Sequence, residues 1–80
     1  MDVKKLVTDL IEVQSGKPKD NIKPESKFKE DLGMDSLESV ELVMAVEEKF
    51  DISLPDEDMD KILTVEQLVQ YVEKVVLNEH

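Results

Sequence analysis

Residues 31–42 contain the side chains best placed to do chemistry. Their order, DLGMDSLESVEL, puts a single serine, Ser36, at the predicted start of a helix. Asp35 followed three positions later by Glu38 predicts a capping box in which an acidic N-cap replaces the usual Ser or Thr. The hydroxyl of Ser36 is then expected beside free backbone N–H groups, which favour a phosphate oxygen.

The chain offers Ser36 no catalytic partner. A hydrolytic serine needs a base to take its proton, and the only histidine is His80, the last residue. A paired-carboxylate mechanism needs two acids held in a cleft, and the exposed acids predicted here do not form one. We therefore predict that the protein is not an enzyme. From spacing alone, an ordinary first-turn serine is favoured over a site that another enzyme modifies.

A calcium site is suggested by Asp56, Asp58 and Asp60, which have the D-x-D-x-D opening of an EF-hand loop. The glycine expected at the sixth position is Lys61, and the glutamate expected at the twelfth is Gln67. We therefore predict no dedicated metal site. Weak binding of divalent cations to the clustered acids stays open on charge grounds.

The charge is strongly unbalanced: 20 acidic residues face 10 lysines, for a net charge of −10. Eleven of the acids, with Lys49 as the only cation, lie within residues 31–60. This disfavours nucleic acid as a partner and favours basic protein surfaces or divalent cations. The absence of cysteine excludes disulfides and thiolate metal sites. With no apolar run near ~20 residues and no signal-peptide pattern, we expect no membrane span and a cytoplasmic protein.

Helical periodicity predicts an all-α four-helix bundle, three longer helices and one short, in a single domain of residues 1–80. The first helix ends at Ser15 and Gly16, the second runs from Asp35 or Ser36 to Phe50, and the short third follows Pro55. The fourth begins at Val65 after a second capping box, Thr64 with Gln67, and a frayed tail is expected at residues 78–80. The predicted buried faces are Val3, Leu6, Val7, Leu10, Ile11 and Val13 in the first helix and Val40, Leu42, Val43, Val46 and Phe50 in the second.

The connection over residues 17–34 is too long for an ordinary turn. We expect it to be ordered, with a short helical turn in it, because Ile22, Phe28 and Leu32 can anchor it to the core.

The exposed side of the second helix mixes apolar and acidic residues. Leu37 and Met44 lie among Glu38, Glu41 and Glu48, which core packing explains poorly. One interpretation is a solvated face that keeps the protein soluble. The other, which we favour, is a docking surface for partners.

The run DLGMDSL at residues 31–37 resembles the D-L-G-x-D-S-L modification motif of acyl carrier proteins. The similarity is strong from 28 to 72 and covers nearly the whole chain. It includes residues 40–50, Ile52, residues 55–57, 61–62, 64–65 and 71–72. Met34, Ser15, Lys17 and Met59 depart from the family's usual residues, and none of them touches the attachment chemistry. Met59, near the expected acyl pocket, bears on chain length.

The resemblance implies that Ser36 carries 4′-phosphopantetheine through a phosphodiester. A holo-acyl-carrier-protein synthase transfers that group from coenzyme A with Mg²⁺, and Asp35 helps to engage the metal. The arm's thiol then carries growing fatty acyl chains as thioesters between enzymes of type II fatty acid synthesis. The free-standing chain is expected to be a monomer.

The resemblance also implies that partner enzymes present basic patches to the second helix. The docking residues expected from this are Asp35, Leu37, Glu38, Glu41, Met44, Glu47 and Glu48, with Asp56 and Glu57 nearby. Two alternatives remain open. One is a carrier for a specialised pathway such as polyketide or lipid A synthesis; the other is an acidic interaction module with an unmodified Ser36.

Overall fold

The structure, a computed structural model, describes residues 2–79, without the side chains of Asp56 and Glu79. These residues form four α-helices and one 3₁₀ turn: α1 (Val3–Ser15), the turn at Lys19–Asn21, α2 (Ser36–Phe50), α3 (Asp56–Met59) and α4 (Val65–Glu79). Among them, β structure is confined to one isolated bridge between Lys27 and Thr64. The predicted all-α fold, with three longer helices and one short one, is confirmed. No helix within residues 2–79 is long and apolar enough to cross a membrane.

The first helix has the predicted ends. The side chain of Asp2 caps its start, and Gly16 ends it with a φ of 73° while donating its N–H to the Glu12 carbonyl at 3.0 Å. Glycine suits this left-handed position because it has no Cβ to clash. The burial predicted for Val13 is wrong, since this side chain is 76% exposed. It lies about 120° around the helix from the centre of the buried face of α1.

The long connection between α1 and α2 is ordered, as predicted. Its anchors Ile22, Phe28 and Leu32 are all buried. The buried Ser26 helps to shape it, because its hydroxyl accepts a hydrogen bond from the Lys23 N–H at 3.0 Å. The predicted helical turn is the 3₁₀ turn at residues 19–21.

The core is aliphatic and lies where α1 packs against α2 and α4. Its most completely buried side chains include Val7, Ile11, Val46 and Val72 from these three helices, with Leu32 and Met34 from the connection between α1 and α2. Burial of such side chains is the main stabilising contribution in a domain of this size. The predicted burial of Val40 is wrong, since this residue is 55% exposed. It too lies about 120° from the centre of the buried face of its helix.

The last helix begins at Val65, as predicted, behind a complete capping box. The Gln67 N–H donates to the Thr64 hydroxyl oxygen at 3.2 Å, and the Thr64 N–H donates to the Gln67 side chain at 3.1 Å. The helix continues through Asn78 to Glu79, so the predicted frayed tail is wrong for these residues. Packing of Val75 and Val76 against the core one turn earlier accounts for the extra length. His80 lies outside the described residues.

Candidate functional site

Ser36 is the first residue of α2 and is exposed to solvent. The predicted capping box that positions it is confirmed. The Glu38 N–H donates to Asp35 Oδ1 at 2.8 Å, and the Asp35 N–H donates to Glu38 Oε1 at 3.2 Å. The two carboxylates therefore fix where the helix starts, and their negative charges interact favourably with the positive end of the helix dipole.

The segment before Ser36 is fixed by a backbone hydrogen bond that closes residues 28–34 into a loop. The Met34 N–H donates to the Phe28 carbonyl at 2.9 Å, and Gly33 allows the reversal with a φ of 65°. Met34 is 2% exposed, so the chain passes from the core to solvent within two residues. Met34 is not among the predicted anchors. An apolar side chain only two residues before the serine is the sequence signal that indicates a buried anchor here.

The hydroxyl of Ser36 makes no hydrogen bond to another residue within the described range 2–79. As first-turn residues, Ser36 and Leu37 also have backbone N–H groups without an intrahelical acceptor. Free N–H groups at the start of a helix can donate hydrogen bonds to an anionic oxygen. The site is therefore suited to holding an attached phosphate.

A cleft of about 660 Å³ opens beside Ser36. It lies between α2, residues 27–30, the connector after α2, α3 and the start of α4. Its wall is mostly apolar and includes Val40, Val43, Leu54, Met59, Ile62 and Leu68. Val40, which is too exposed to be part of the core, contributes to this wall. A long apolar group attached near Ser36 has the volume and the lining it needs here.

The outer face of α2 carries the predicted strip of apolar and acidic side chains. Leu37 is 66% exposed and Met44 is 56% exposed, and both Glu41 and Glu48 are exposed as well. All of these lie about 140–180° around the helix from the centre of its buried face. The strip thus presents apolar surface framed by carboxylates, an arrangement typical of an interaction surface.

The remaining predicted docking residues differ in how free they are. Glu38 is half-buried and occupied in the capping box, and Glu57 is exposed on α3. Glu47 is half-buried, and its Oε2 accepts a hydrogen bond from the Leu54 N–H at 2.9 Å. Its carboxylate therefore holds the connector after α2 and is not a free surface charge. The side chain of Asp56 lies outside the part of the chain that the structure describes.

The acidic run at residues 56–60 has a structural contact that the sequence pattern did not predict. The Tyr71 hydroxyl donates to Asp58 Oδ2 at 2.7 Å, which joins α3 to α4. This hydrogen bond, with desolvation by burial, raises the pKa of Tyr71 above its ordinary value. In the part of the chain that the structure describes, no group of three or more Asp, Glu, His or Cys side chains is arranged to hold a metal ion.

A family model described as "Phosphopantetheine attachment site" matches residues 4–72. The match and the fold define the class: a small helical domain of the phosphopantetheine-attachment family. The chain is also 53% identical over 72 residues to the acyl carrier protein of Chlorobium phaeobacteroides, covering 90% of this chain and 92% of that one. It is 52% identical over 73 residues to the acyl carrier protein of Chlorobium phaeovibrioides, covering 91% and 94% of the two chains. The chain belongs to the acyl carrier protein family, which confirms the resemblance found in its sequence.

Proposed function

We propose that this protein carries fatty acyl chains on 4′-phosphopantetheine attached to Ser36. The observation that carries the proposal is the exposed Ser36, which starts a firmly capped helix beside an apolar cleft and whose hydroxyl makes no hydrogen bond within residues 2–79. The family match supports the prosthetic group, and the serine lies in the family's modification motif.

The residues around Ser36 have distinct tasks in this proposal. Asp35 and Glu38 hold the start of α2, so that the serine hydroxyl and the first-turn N–H groups keep a fixed geometry. Asp35 caps the helix through Oδ1, and we assign its second carboxylate oxygen to the Mg²⁺ ion used by the holo-acyl-carrier-protein synthase. The attached group supplies the thiol that carries acyl chains as thioesters, since the chain has no cysteine.

The cleft shelters the acyl chain from water. Its apolar wall replaces water around the acyl chain, and each methylene of the acyl chain that is buried there stabilises the sheltered state by ~0.8 kcal/mol. Met59 on α3 is half-buried in this wall, where the family's usual residue is small. We infer that its side chain limits the length of chain that fits.

The partners proposed are enzymes of fatty acid synthesis with basic docking patches. Leu37 and Met44 offer the apolar contact, and Glu41 and Glu48 offer the charge. Exposed charges contribute mainly to association rate and specificity, and individually little to affinity. That balance suits a carrier that binds many enzymes and leaves each of them. We propose that it works as a monomer in the cytoplasm.

Intact mass spectrometry tests the attachment directly. After incubation with coenzyme A, Mg²⁺ and a holo-acyl-carrier-protein synthase, the wild type is expected to gain one phosphopantetheinyl group. Ser36→Ala is expected to gain none. Ser39→Ala is the matched control, because Ser39 lies one turn later on the same cleft and keeps Ser36 intact.

Two outcomes contradict the proposal. If the wild type gains no mass, the rival function of an unmodified acidic interaction module takes its place. If Ser36→Ala is modified as fully as the wild type, the attachment site has been assigned to the wrong residue. If the wild type is modified at Ser36, a second measurement distinguishes the two carrier functions. Fatty acid synthesis enzymes are expected to load acyl chains onto the modified protein, and they are not expected to load a carrier of a specialised pathway.

A further inference from the structure

The cleft beside Ser36 is lined on one segment, residues 27–30, by two lysines and one glutamate, within an otherwise acidic region. Lys27 and Lys29 both line the cleft, whereas residues 31–60 contain eleven acids and a single lysine. A negative group attached to Ser36 therefore lies beside a cleft that these two lysines help to line, next to the acidic start of α2.

Of the two lysines, Lys27 is already engaged. Its ammonium forms an ion pair with Glu30 Oε2 at 3.3 Å, and its backbone N–H donates to Asp31 Oδ2 at 2.8 Å. Lys29 is exposed and forms no ion pair with any other described residue. It is the cation at the cleft that is available to a new partner.

The fold keeps Lys29 close to Ser36. Lys29 directly follows Phe28, whose carbonyl accepts the Met34 N–H at 2.9 Å. Ser36 follows Met34 by two residues, each step spanning ~3.8 Å between Cα atoms. The Phe28 N–H also donates to the Leu63 carbonyl at 3.1 Å, so the residue directly before Lys29 is held through both its N–H and its carbonyl. A lysine side chain has a long flexible stem that can cover the remaining distance.

We propose that Lys29 binds the phosphodiester of the prosthetic group on Ser36 and thereby directs the arm over the cleft. This inference rests on the proposed function. The phosphodiester brings a negative charge close to Asp35 and Glu38, whose carboxylates are fixed in the capping box and cannot move away. A lysine ammonium offsets this repulsion through a charge-assisted hydrogen bond. Lys29 is thus a positioning residue for the arm.

The ion pair has a measurable signature besides activity. Lys29 is free before modification and paired afterwards, so the Cε–H signals of its side chain are expected to shift between the apo and holo proteins in NMR spectra. The shift is expected to shrink as salt is added, because salt screens exposed charge pairs. The signals of Lys17, in the connection after α1, are expected to stay in place.

The experiment combines intact mass with ¹H–¹³C and ³¹P NMR of the holo protein at low salt. Lys29→Gln is expected to move the ³¹P resonance of the phosphodiester and to remove its dependence on salt. Lys17→Gln, which removes a remote exposed lysine, is the control and is expected to leave the resonance close to the wild-type position.

The outcomes are distinguishable. If intact mass shows no added group on the wild type, the proposed function fails and this inference falls with it. If the group is present but Lys29→Gln moves the ³¹P resonance no more than Lys17→Gln does, only the inference is overturned.

Discussion

Two helices of this protein begin with the same device and serve different purposes. In α2, Asp35 and Glu38 form a capping box with hydrogen bonds of 2.8 and 3.2 Å. In α4, Thr64 and Gln67 form one with hydrogen bonds of 3.2 and 3.1 Å. Locally the two starts are equivalent, since each satisfies two of the backbone donors that a helix leaves open.

The surroundings of the two starts differ. At the start of α4, the N–H groups of Val65 and Glu66 donate to loop carbonyls at 3.0 and 2.8 Å, and Val65 is buried. At the start of α2, the corresponding residues Ser36 and Leu37 are exposed, and their N–H groups have no acceptor among the described residues. A capping box therefore sets where a helix begins. The chain packed around it determines whether that start is part of the core or an open site.

The largest effect expected from this difference is on stability. Leu68, in the first turns of α4, is 2% exposed, and Leu68→Ala is expected to cost ~2–5 kcal/mol of unfolding free energy. Leu37→Ala, in the first turn of α2, is expected to change it by less than ~0.5 kcal/mol. Chemical denaturation of both variants measures this. Equal losses in the two variants would show that the start of α2 is packed into the fold after all.

The two caps can be compared by one substitution each. Thr64→Ala and Asp35→Ala are each expected to cost ~0.5–2 kcal/mol, because each removes an N-cap acceptor. Only Asp35→Ala is expected to slow phosphopantetheinylation as well, because only Asp35 positions Ser36 and is assigned to the Mg²⁺ ion of the transfer. Denaturation gives the first quantity, and a time course of intact mass gives the second. If Thr64→Ala slows modification as much as Asp35→Ala, the cap at Asp35 has no special role in the reaction.

Local sequence patterns predicted the features that depend on neighbours along the chain. Both capping boxes, the glycine end of α1 and the first residue of α4 follow from residues within four positions of one another, where propensity and capping act directly. The aliphatic faces of the helices followed from their period. The family was identified by another route, the resemblance of residues 28–72 to acyl carrier proteins, because spacing alone favoured an ordinary first-turn serine at Ser36.

Features that depend on distant parts of the chain were not predicted. Val13 and Val40 lie at the flanks of apolar faces, and whether a flank is covered depends on the neighbouring helix. The bond from Leu54 to Glu47 and the bond from Tyr71 to Asp58 each require a turn of the chain between partners. Periodicity carries no information on such pairs, so Glu47 could not be distinguished from the free carboxylates of the strip.

The stability of the protein at alkaline pH tests the hydrogen bond that joins α4 to α3. The pKa of Tyr71 is raised in the folded state, first by its hydrogen bond to Asp58 and then by desolvation. The fold therefore stabilises the protonated phenol. This contribution is fully present below the ordinary pKa of 10.0 and is lost as pH rises through the raised value.

Tyr71→Phe is expected to cost ~0.5–1.5 kcal/mol near neutral pH, the usual net contribution of one hydrogen bond. Above pH 10 the difference between Tyr71→Phe and the wild type is expected to narrow, because the wild type also loses this hydrogen bond. Thermal unfolding at a series of pH values measures both. A difference that stays constant into the alkaline range would contradict a role for the Tyr71 proton.

The smallest effect on stability, and a selective one on binding, is expected from charge reversal near the two helix starts. Glu41→Lys, on the strip of α2, and Glu66→Lys, in the first turn of α4, both replace an exposed carboxylate. Glu41→Lys is expected to change the unfolding free energy by no more than ~0.5 kcal/mol. Glu66→Lys is expected to cost up to ~1 kcal/mol, because the Glu66 carboxylate lies at the positive end of the α4 dipole and accepts a hydrogen bond from the Gln70 amide at 3.2 Å. Glu41→Lys is expected to slow association with a basic synthase partner at low salt, because the local field of the strip steers the encounter. Glu66→Lys makes the same change in net charge and controls for it.

Stopped-flow association rates at low and high salt distinguish an effect of net charge from an effect of the strip. Equal slowing by both variants means that net charge governs the encounter. Slowing by Glu41→Lys alone means that the strip beside Ser36 is the surface that partners bind.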